Sequence, residues 1–88
     1  GYAACFESAV RHVARQQKLG LKDAAVTATV QLFPKEDGGF RLGVALAAEI
    51  EGLDEAPARE LVETAHQVCP YSNAVRGNID VQLTTTVR

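Results

Sequence analysis

Two runs of alternating apolar and polar residues, joined by a short turn, constrain the fold of this chain more than any other feature. The runs cover residues 26–32 and 40–50, and each places its apolar side chains on one face of a strand. Between them, residues 34–39 are turn-forming and include an Asp-Gly-Gly sequence that suits positive φ. Two half-buried strands joined in this way predict an antiparallel hairpin.

A helix is predicted before the hairpin, over residues 2–19. Its apolar and small side chains recur at helical spacing and form one stripe: Phe6, Ala9, Val10, Val13 and Ala14. Gly20 suits the position just after a helix C-terminus, where positive φ is common. We therefore expect a first amphipathic helix that ends near Gly20 and buries this stripe.

The chain after the hairpin predicts a second helix and a third strand. Asp54 suits a helix N-cap, and a second apolar stripe continues to about Cys69, after which Pro70 ends the helix. Residues 71–78 predict a polar bend, and residues 79–87 alternate again as a last strand. The order α-β-β-α-β predicts an α+β fold in which two helices pack on an antiparallel-rich sheet.

Composition and charge exclude several classes of partner. Residues 1–88 form a single small domain near the lower limit for independent folding, so a partner subunit would add stability. Nine basic and eleven acidic residues give a net charge of −2 without a basic patch, which argues against nucleic acid and anionic membrane surfaces. The apolar stretches, such as residues 42–48, are too short for a membrane helix, and no signal peptide is visible. We therefore expect a cytoplasmic protein.

The chain has two cysteines, Cys5 and Cys69, and three interpretations of them are open. They are buried packing residues, a structural disulfide or a redox pair. Cys5 lies in the first turn of the first helix, where free N–H groups favour a thiolate and lower the thiol pKa. Cys69 lies at the C-terminal end of the second helix, where an anion is disfavoured. This contrast suits attack by Cys5 and resolution by Cys69, with Phe6 and Tyr71 contributing to an apolar substrate pocket.

His66 raises two further alternatives. It forms a His-x-x-Cys pair with Cys69, which together with Cys5 suggests zinc, but a structural zinc site takes four ligands and no second close pair is present. A catalytic zinc site with three ligands stays open as an alternative, but the absent fourth ligand disfavours it. The sequence therefore predicts no metal and no cofactor. A hydrolase of the Ser/His/Asp type would use Ser8 or Ser72 with a histidine, but the glycines of a nucleophile elbow are absent.

Two segments resemble one known family. Residues 1–6 (Gly-Tyr-Ala-Ala-Cys-Phe) and 65–79 (Ala-His-Gln-Val-Cys-Pro-Tyr-Ser-Asn-Ala-Val-Arg-Gly-Asn-Ile) closely resemble the two cysteine motifs of the organic hydroperoxide resistance protein family. That family belongs to the osmotically inducible protein C superfamily. The turn at residues 38–40 resembles the family's middle segment, so the resemblance extends over essentially the whole chain.

The resemblance implies an osmotically-inducible-protein-C-like fold and a thiol-dependent peroxidase of oxidative stress defence. Cys5 matches the peroxidatic cysteine, which attacks the peroxide and becomes a sulfenic acid. Cys69 matches the resolving cysteine, which closes an intramolecular disulfide. The resemblance further implies organic or lipid hydroperoxides as substrates, a lipoylated protein as the dithiol reductant, and a homodimer.

One part of the family pattern has no counterpart in this sequence. In the family, an upstream segment supplies β-strands together with an arginine and a glutamate that hold and activate the peroxidatic thiolate. We do not assign the role of this arginine to any candidate in the chain, namely Arg11, Arg15, Arg41 and Arg76. We therefore expect low activity without such a segment. The alternative function is a non-catalytic dimerisation or binding domain in which both cysteines are structural.

Overall fold

The helices and strands follow the predicted order α-β-β-α-β, with one further short helix before the last strand. The computed structural model describes all 88 residues. Its elements are α1 (Tyr2–Gln16), β1 (Asp23–Pro34), β2 (Phe40–Glu51), α2 (Glu55–Val68), α3 (Pro70–Val75) and β3 (Val81–Val87). The predicted α+β class is confirmed. None of the three helices is long and apolar enough to span a membrane.

The three strands form one mixed sheet in the order β1-β2-β3. β1 and β2 pair antiparallel along their whole length, from Asp23 opposite Glu51 to Pro34 opposite Phe40. β3 pairs with β2 in parallel, because the intervening helices return the chain to the end of the sheet where β2 begins. The predicted hairpin is confirmed, and the last strand adds a parallel pair at the other edge.

The core lies between one face of the sheet and the two long helices. The predicted stripe of α1 is buried throughout, and Phe6 and Val10 are completely inaccessible. The buried residues that β2 and α2 contribute are Val44, Leu46, Ala48, Ile50, Ala58, Leu61, Val62 and Ala65. Both predicted helical stripes are confirmed, and their packing brings α1 against α2.

α1 ends earlier than predicted, at Gln16. The Leu19 N–H donates to the Ala14 carbonyl oxygen, a bond that places the residue before it in the left-handed region. Lys18 has φ 54°, so Lys18 occupies the position predicted for Gly20. The helix ends three residues earlier than predicted, and the left-handed residue comes two residues earlier, because Leu19 packs against the core and fixes where the chain turns.

A short helix replaces part of the polar bend predicted over residues 71–78. Pro70 is the first residue of α3, and Cys69 precedes it as the N-cap. Proline suits the first helical position because its missing N–H has no helical partner there. The bend prediction is wrong for residues 71–75, and the turn comes after them, where Gly77 has φ 83°. The molecule therefore has three helices, and the third directly follows Cys69.

The far half of the hairpin extends beyond the helices. The molecule measures 48 × 21 × 19 Å, and every residue from 29 to 42 is exposed. We call residues 29–42 the hairpin arm. Four of its apolar side chains lie on the same face as the core residues of β2: Val30, Leu32, Phe40 and Leu42. The apolar face of the sheet thus continues past the point where the helices cover it.

Candidate active site

The structure brings the two cysteines together. Cys5 is the fourth residue of α1, and Cys69 lies between α2 and α3. Their Sγ atoms are 3.3 Å apart although 64 positions separate them in the chain. Both thiols are free, so the contact is non-covalent. A disulfide bond is about 2 Å long, so a small movement would join the two sulfurs.

The two sulfurs differ in their access to solvent. Cys69 is completely buried, whereas Cys5 is partly exposed. A dissolved oxidant or thiol therefore reaches Cys5 first, and Cys69 reacts most readily with a group already bound to Cys5. This order of access is the one that attack by Cys5 and resolution by Cys69 require.

The surroundings of Cys5 disfavour its thiolate. Burial raises the pKa of the Cys5 thiol. A backbone N–H of Tyr71, in the first turn of α3, donates toward Cys5 and lowers that pKa, while the adjacent Cys69 raises it again. The net direction is upward. The low pKa predicted from the helix position of Cys5 is therefore wrong for this chain, because burial and the second thiol outweigh one donated hydrogen bond.

A buried set of hydrogen-bonded side chains lies beside the cysteines. The Ser72 Oγ is 2.5 Å from the Tyr2 hydroxyl oxygen and 2.7 Å from the His66 Nδ1. Tyr2 belongs to α1, His66 to α2 and Ser72 to α3, so the set connects all three helices. We call it the Tyr2–Ser72–His66 network. Burial lowers the pKa of His66, and the charge of Arg76 lowers it further, so the imidazole is neutral at neutral pH.

The candidate arginines that form contacts are engaged away from the Cys5 sulfur. Arg11 bonds to a carboxylate at the start of β1. Arg76 donates to a backbone carbonyl oxygen of α2 at 2.6 Å. Arg41 lies 5.8 Å from the centroid of the Phe33 ring. None of these guanidinium groups donates to Cys5, and no cation is among the groups that shift the pKa of Cys5.

The two residues predicted to line a substrate pocket have different surroundings. Phe6 is completely buried in the core and offers no surface to a ligand. Tyr71 is 49% exposed, and its ring centroid lies 5.7 Å from that of Tyr2. The five main surface cavities, of about 190 to 510 Å³, are lined by neither cysteine. A role for Tyr71 in substrate binding stays a prediction.

The alternatives raised by His66 meet specific obstacles in the structure. Ser72 and His66 are hydrogen-bonded, but Ser72 is completely buried and no carboxylate bonds to the imidazole. A buried hydroxyl cannot act as the nucleophile of a hydrolase on a dissolved substrate. The Nδ1 of His66 is bonded to Ser72, and no group of three or more potential metal-ligating side chains is present.

The Tyr2–Ser72–His66 network is the part of the site that sequence reasoning missed. Pro70 carries a usable signal, because proline is common at the first position of a helix and so indicates α3. With α3 placed, His66 and Ser72 lie three positions before and three positions after Cys69. The hydrogen bond between Ser72 and Tyr2 has no local signal in the sequence, because the two residues are far apart in the chain.

Comparison with known proteins identifies the family. The model of the OsmC-like protein family matches residues 1–84. The chain belongs to this family. Relatives of this OsmC-like chain include the organic hydroperoxide resistance protein OhrB of Bacillus subtilis, 49% identical over 84 residues. The organic hydroperoxide resistance protein of Xanthomonas axonopodis pv. citri is 49% identical over 85 residues. The resemblance to organic hydroperoxide resistance proteins is confirmed.

The two relatives are longer than this OsmC-like chain. The matches cover 94% and 96% of the chain but only 61% and 59% of the relatives. The chain therefore spans less than two thirds of their length.

Solved structures of OsmC-like proteins have the same fold. An organic hydroperoxide resistance protein of Legionella pneumophila superposes with a TM-score of 0.97 at 57% identity, over 99% of this chain and 64% of that one. A putative organic hydroperoxide resistance protein of Vibrio cholerae, with captopril bound in one of its active sites, gives a TM-score of 0.91 at 64% identity, over 97% of this chain and 58% of that one.

Proposed function

We propose that this chain carries the two reactive cysteines of a thiol peroxidase that reduces organic hydroperoxides to alcohols in oxidative stress defence. The observation that carries the proposal is the 3.3 Å contact between the Sγ atoms of Cys5 and Cys69. Family membership supports the substrate class, because the similar proteins from Bacillus subtilis and Xanthomonas axonopodis are organic hydroperoxide resistance proteins.

In the first step Cys5 is the nucleophile, because its sulfur is the accessible one. The thiolate attacks the terminal peroxide oxygen, the O–O bond breaks, and the leaving alkoxide takes a proton to become the alcohol. Cys5 is thereby oxidised to a sulfenic acid. Since burial raises the pKa of Cys5, the step needs a further group that stabilises the thiolate. We assign this role to the arginine that the family carries in its upstream segment.

In the second step Cys69 resolves the sulfenic acid. The Cys69 sulfur attacks the Cys5 sulfur, the S–S bond forms and water leaves. The short distance between the two sulfurs removes most of the entropic cost of bringing them together. Burial of Cys69 keeps other thiols and a second peroxide away from it, which favours the intramolecular product.

A dithiol returns the disulfide to the reduced state. One thiolate of the reductant attacks the accessible Cys5 sulfur and releases Cys69 as a thiolate. The second thiolate then attacks the reductant's sulfur in this mixed disulfide, which releases Cys5 and closes a disulfide within the reductant. We propose a lipoylated protein as this partner, on the strength of the family resemblance. The cytoplasmic location stays a prediction.

The hairpin arm supports a homodimer. Leu32 and Phe40 are each 65% exposed on the face that elsewhere forms the core. Exposed apolar surface of this kind marks an interaction site, and we propose that a second copy of this protein covers it.

An oxidation experiment tests the proposed function. One equivalent of cumene hydroperoxide is added to the reduced 88-residue chain, and free thiols, intact mass and sulfenic acid trapped by dimedone are measured. The wild-type chain should consume the peroxide and lose both thiols within one polypeptide. The Cys69→Ser variant should consume one equivalent and accumulate the trapped sulfenic acid, whereas the Cys5→Ser variant should consume none.

Two outcomes contradict the proposal. Peroxide consumption by Cys5→Ser at the wild-type rate would show that the roles are misassigned. Reduced thiols in the wild type even after addition of a family-type upstream segment, under conditions where diamide closes the disulfide, would favour a non-catalytic dimerisation or binding domain. The complete burial of Cys69 favours this second candidate, since a buried thiol is often a packing residue.

A further inference from the structure

We propose that the Tyr2–Ser72–His66 network holds Cys5 and Cys69 in position for disulfide closure. The inference rests on the proposed function, which supplies the step in which the Cys5 sulfenic acid and the Cys69 thiol form an S–S bond and release water. The network members are positioning residues, since they bond to one another and take no part in that exchange of atoms.

The network and the sulfur pair are parallel connections between the same helices. Tyr2 precedes Cys5 by three positions on α1, so the two lie about one helical turn apart. Ser72 follows Cys69 by three positions on α3, and His66 precedes it by three on α2. Each sulfur is thus about one turn from a member of the network. A shift of one helix against another would change both connections together.

The position of α3 depends on Ser72 in particular. A six-residue helix is not stable by itself and takes its place from tertiary contacts. Ser72 is the one buried residue of α3, and its hydroxyl bonds to both neighbouring helices. The start of the same short helix holds Cys69 and the Tyr71 N–H that faces Cys5. Release of Ser72 would therefore free the segment that sets the distance between the two sulfurs.

One assignment of the hydrogens uses every donor and acceptor of the network. In this assignment the Tyr2 hydroxyl, whose one partner is Ser72, donates to the Ser72 Oγ. Ser72 then donates its own hydrogen to the His66 Nδ1, which accepts as a neutral imidazole. Every buried polar side-chain atom has a partner in this arrangement. A satisfied buried network of this kind holds its members rigidly.

The test is the equilibrium between the reduced chain and its disulfide in glutathione buffers of known composition. Two thiols of the chain reduce one oxidised glutathione to two reduced molecules, so the equilibrium constant measures the effective concentration of Cys69 at Cys5. Tyr2→Phe removes one neutral hydrogen bond and should lower this constant about fivefold. Ser72→Ala breaks both bonds and should lower it further.

Matched variants separate positioning from loss of stability. His66→Asn keeps an acceptor near the Nδ1 position and should retain the wild-type constant, whereas His66→Ala should not. Ser8→Ala and His12→Asn make the same changes at exposed positions of α1 and should have no effect. Ile50→Val shortens a buried side chain of β2 that forms none of the network's hydrogen bonds, so it lowers stability and should also leave the constant unchanged.

A double variant provides the sharpest outcome. If Tyr2 acts through Ser72, the equilibrium constant of the Tyr2→Phe/Ser72→Ala chain should be no lower than that of Ser72→Ala alone. An additive loss would overturn the proposal, as would an equal fall in Ile50→Val or unchanged constants in Tyr2→Phe and Ser72→Ala. Failure of the wild type to form any Cys5–Cys69 disulfide in oxidised glutathione would instead reject the proposed function.

Discussion

The helical end and the hairpin arm share one strand pattern but differ in burial. In both regions every second side chain of β1 and β2 is apolar on the same face. At the helical end Leu46 is 1% exposed, whereas Leu32 in the arm is 65% exposed. The difference lies in what packs on the face: two helices in one case and nothing from this chain in the other. Alternation in a sequence thus predicts which face of a strand is apolar, but it does not predict which part of the protein packs on that face.

The candidate active site shows a similar division between geometry and charge. Its geometry is complete at the helical end, where the sulfurs of Cys5 and Cys69 are 3.3 Å apart and the neighbouring polar groups are all paired. Its electrostatics are incomplete, because burial raises the pKa of Cys5 and no guanidinium donates to it. The structure thus brings the two sulfurs together, and in the proposed function an arginine of the family's upstream segment supplies the charge that activates the thiolate.

The largest expected effect contrasts one leucine from each region. Leu46→Ala removes a completely packed side chain and should lower the free energy of unfolding by about 2–5 kcal/mol. Leu32→Ala removes an exposed side chain and should change it by no more than about 0.5 kcal/mol at low protein concentration. Urea denaturation at two protein concentrations measures both. Should Leu32→Ala cost as much as Leu46→Ala even in dilute protein, the arm would be covered within one chain.

The next effect concerns the missing charge. Addition of a family-type upstream segment should lower the pKa of Cys5 and raise kcat/KM for an organic hydroperoxide by about 10²-fold or more, because a positioned cation stabilises the thiolate. The control is the same segment with its arginine replaced by leucine. If the bare chain already matches a full-length relative, one of its own arginines activates Cys5 and must be found by substitution.

Much of the fold could be predicted because its signals are local. The hairpin and both helical stripes follow from periodicities that extend over many residues. α3 has six residues, too few for a period to show, and only Pro70 indicates it. The parallel placement of β3 depends on the path of α2 and α3 across the sheet, which no pattern within residues 81–87 records.

The candidate site divides in the same way. The roles of Cys5 and Cys69 were predicted from helix ends and from motifs, and the structure brings their sulfurs into contact. The direction of the Cys5 pKa could not be predicted, because it depends on burial between helices. The network escaped prediction because Tyr2 and Ser72 are 70 positions apart and neither lies in a pattern that indicates the other.

A smaller effect is expected in the pH dependence of stability. Burial lowers the pKa of His66 in the folded chain below its ordinary value near 6.5. Arg76 is the charged group that acts on the imidazole, and Tyr2 is connected to it through the Ser72 hydroxyl. Between the two pKa values only the unfolded chain binds the proton, so stability is complete above pH of about 6.5 and falls as the pH drops below it. Urea denaturation from neutral to mildly acidic pH should show this slope, and His66→Asn should reduce it. If the slope is unchanged in His66→Asn, or if His12→Asn loses it equally, the pH dependence of stability belongs to another group.

The smallest expected effect is on stability, and it concerns the backbone strain at Lys18, at the C-terminal end of α1. Lys18 has φ 54°, a conformation that costs an L-residue about 1–2 kcal/mol relative to glycine. Lys18→Gly removes this strain but adds backbone freedom to the unfolded chain, which offsets about 0.5–1 kcal/mol of the gain. Because Lys18 is exposed and forms no ion pair, little else is lost. Thermal and urea denaturation should show a net stabilisation of about 0.5 kcal/mol, while Lys18→Ala keeps the strain and should show none. A destabilised Lys18→Gly would mean that the lysine side chain stabilises the end of α1, and the helical end would then be more tightly specified than its burial pattern indicates.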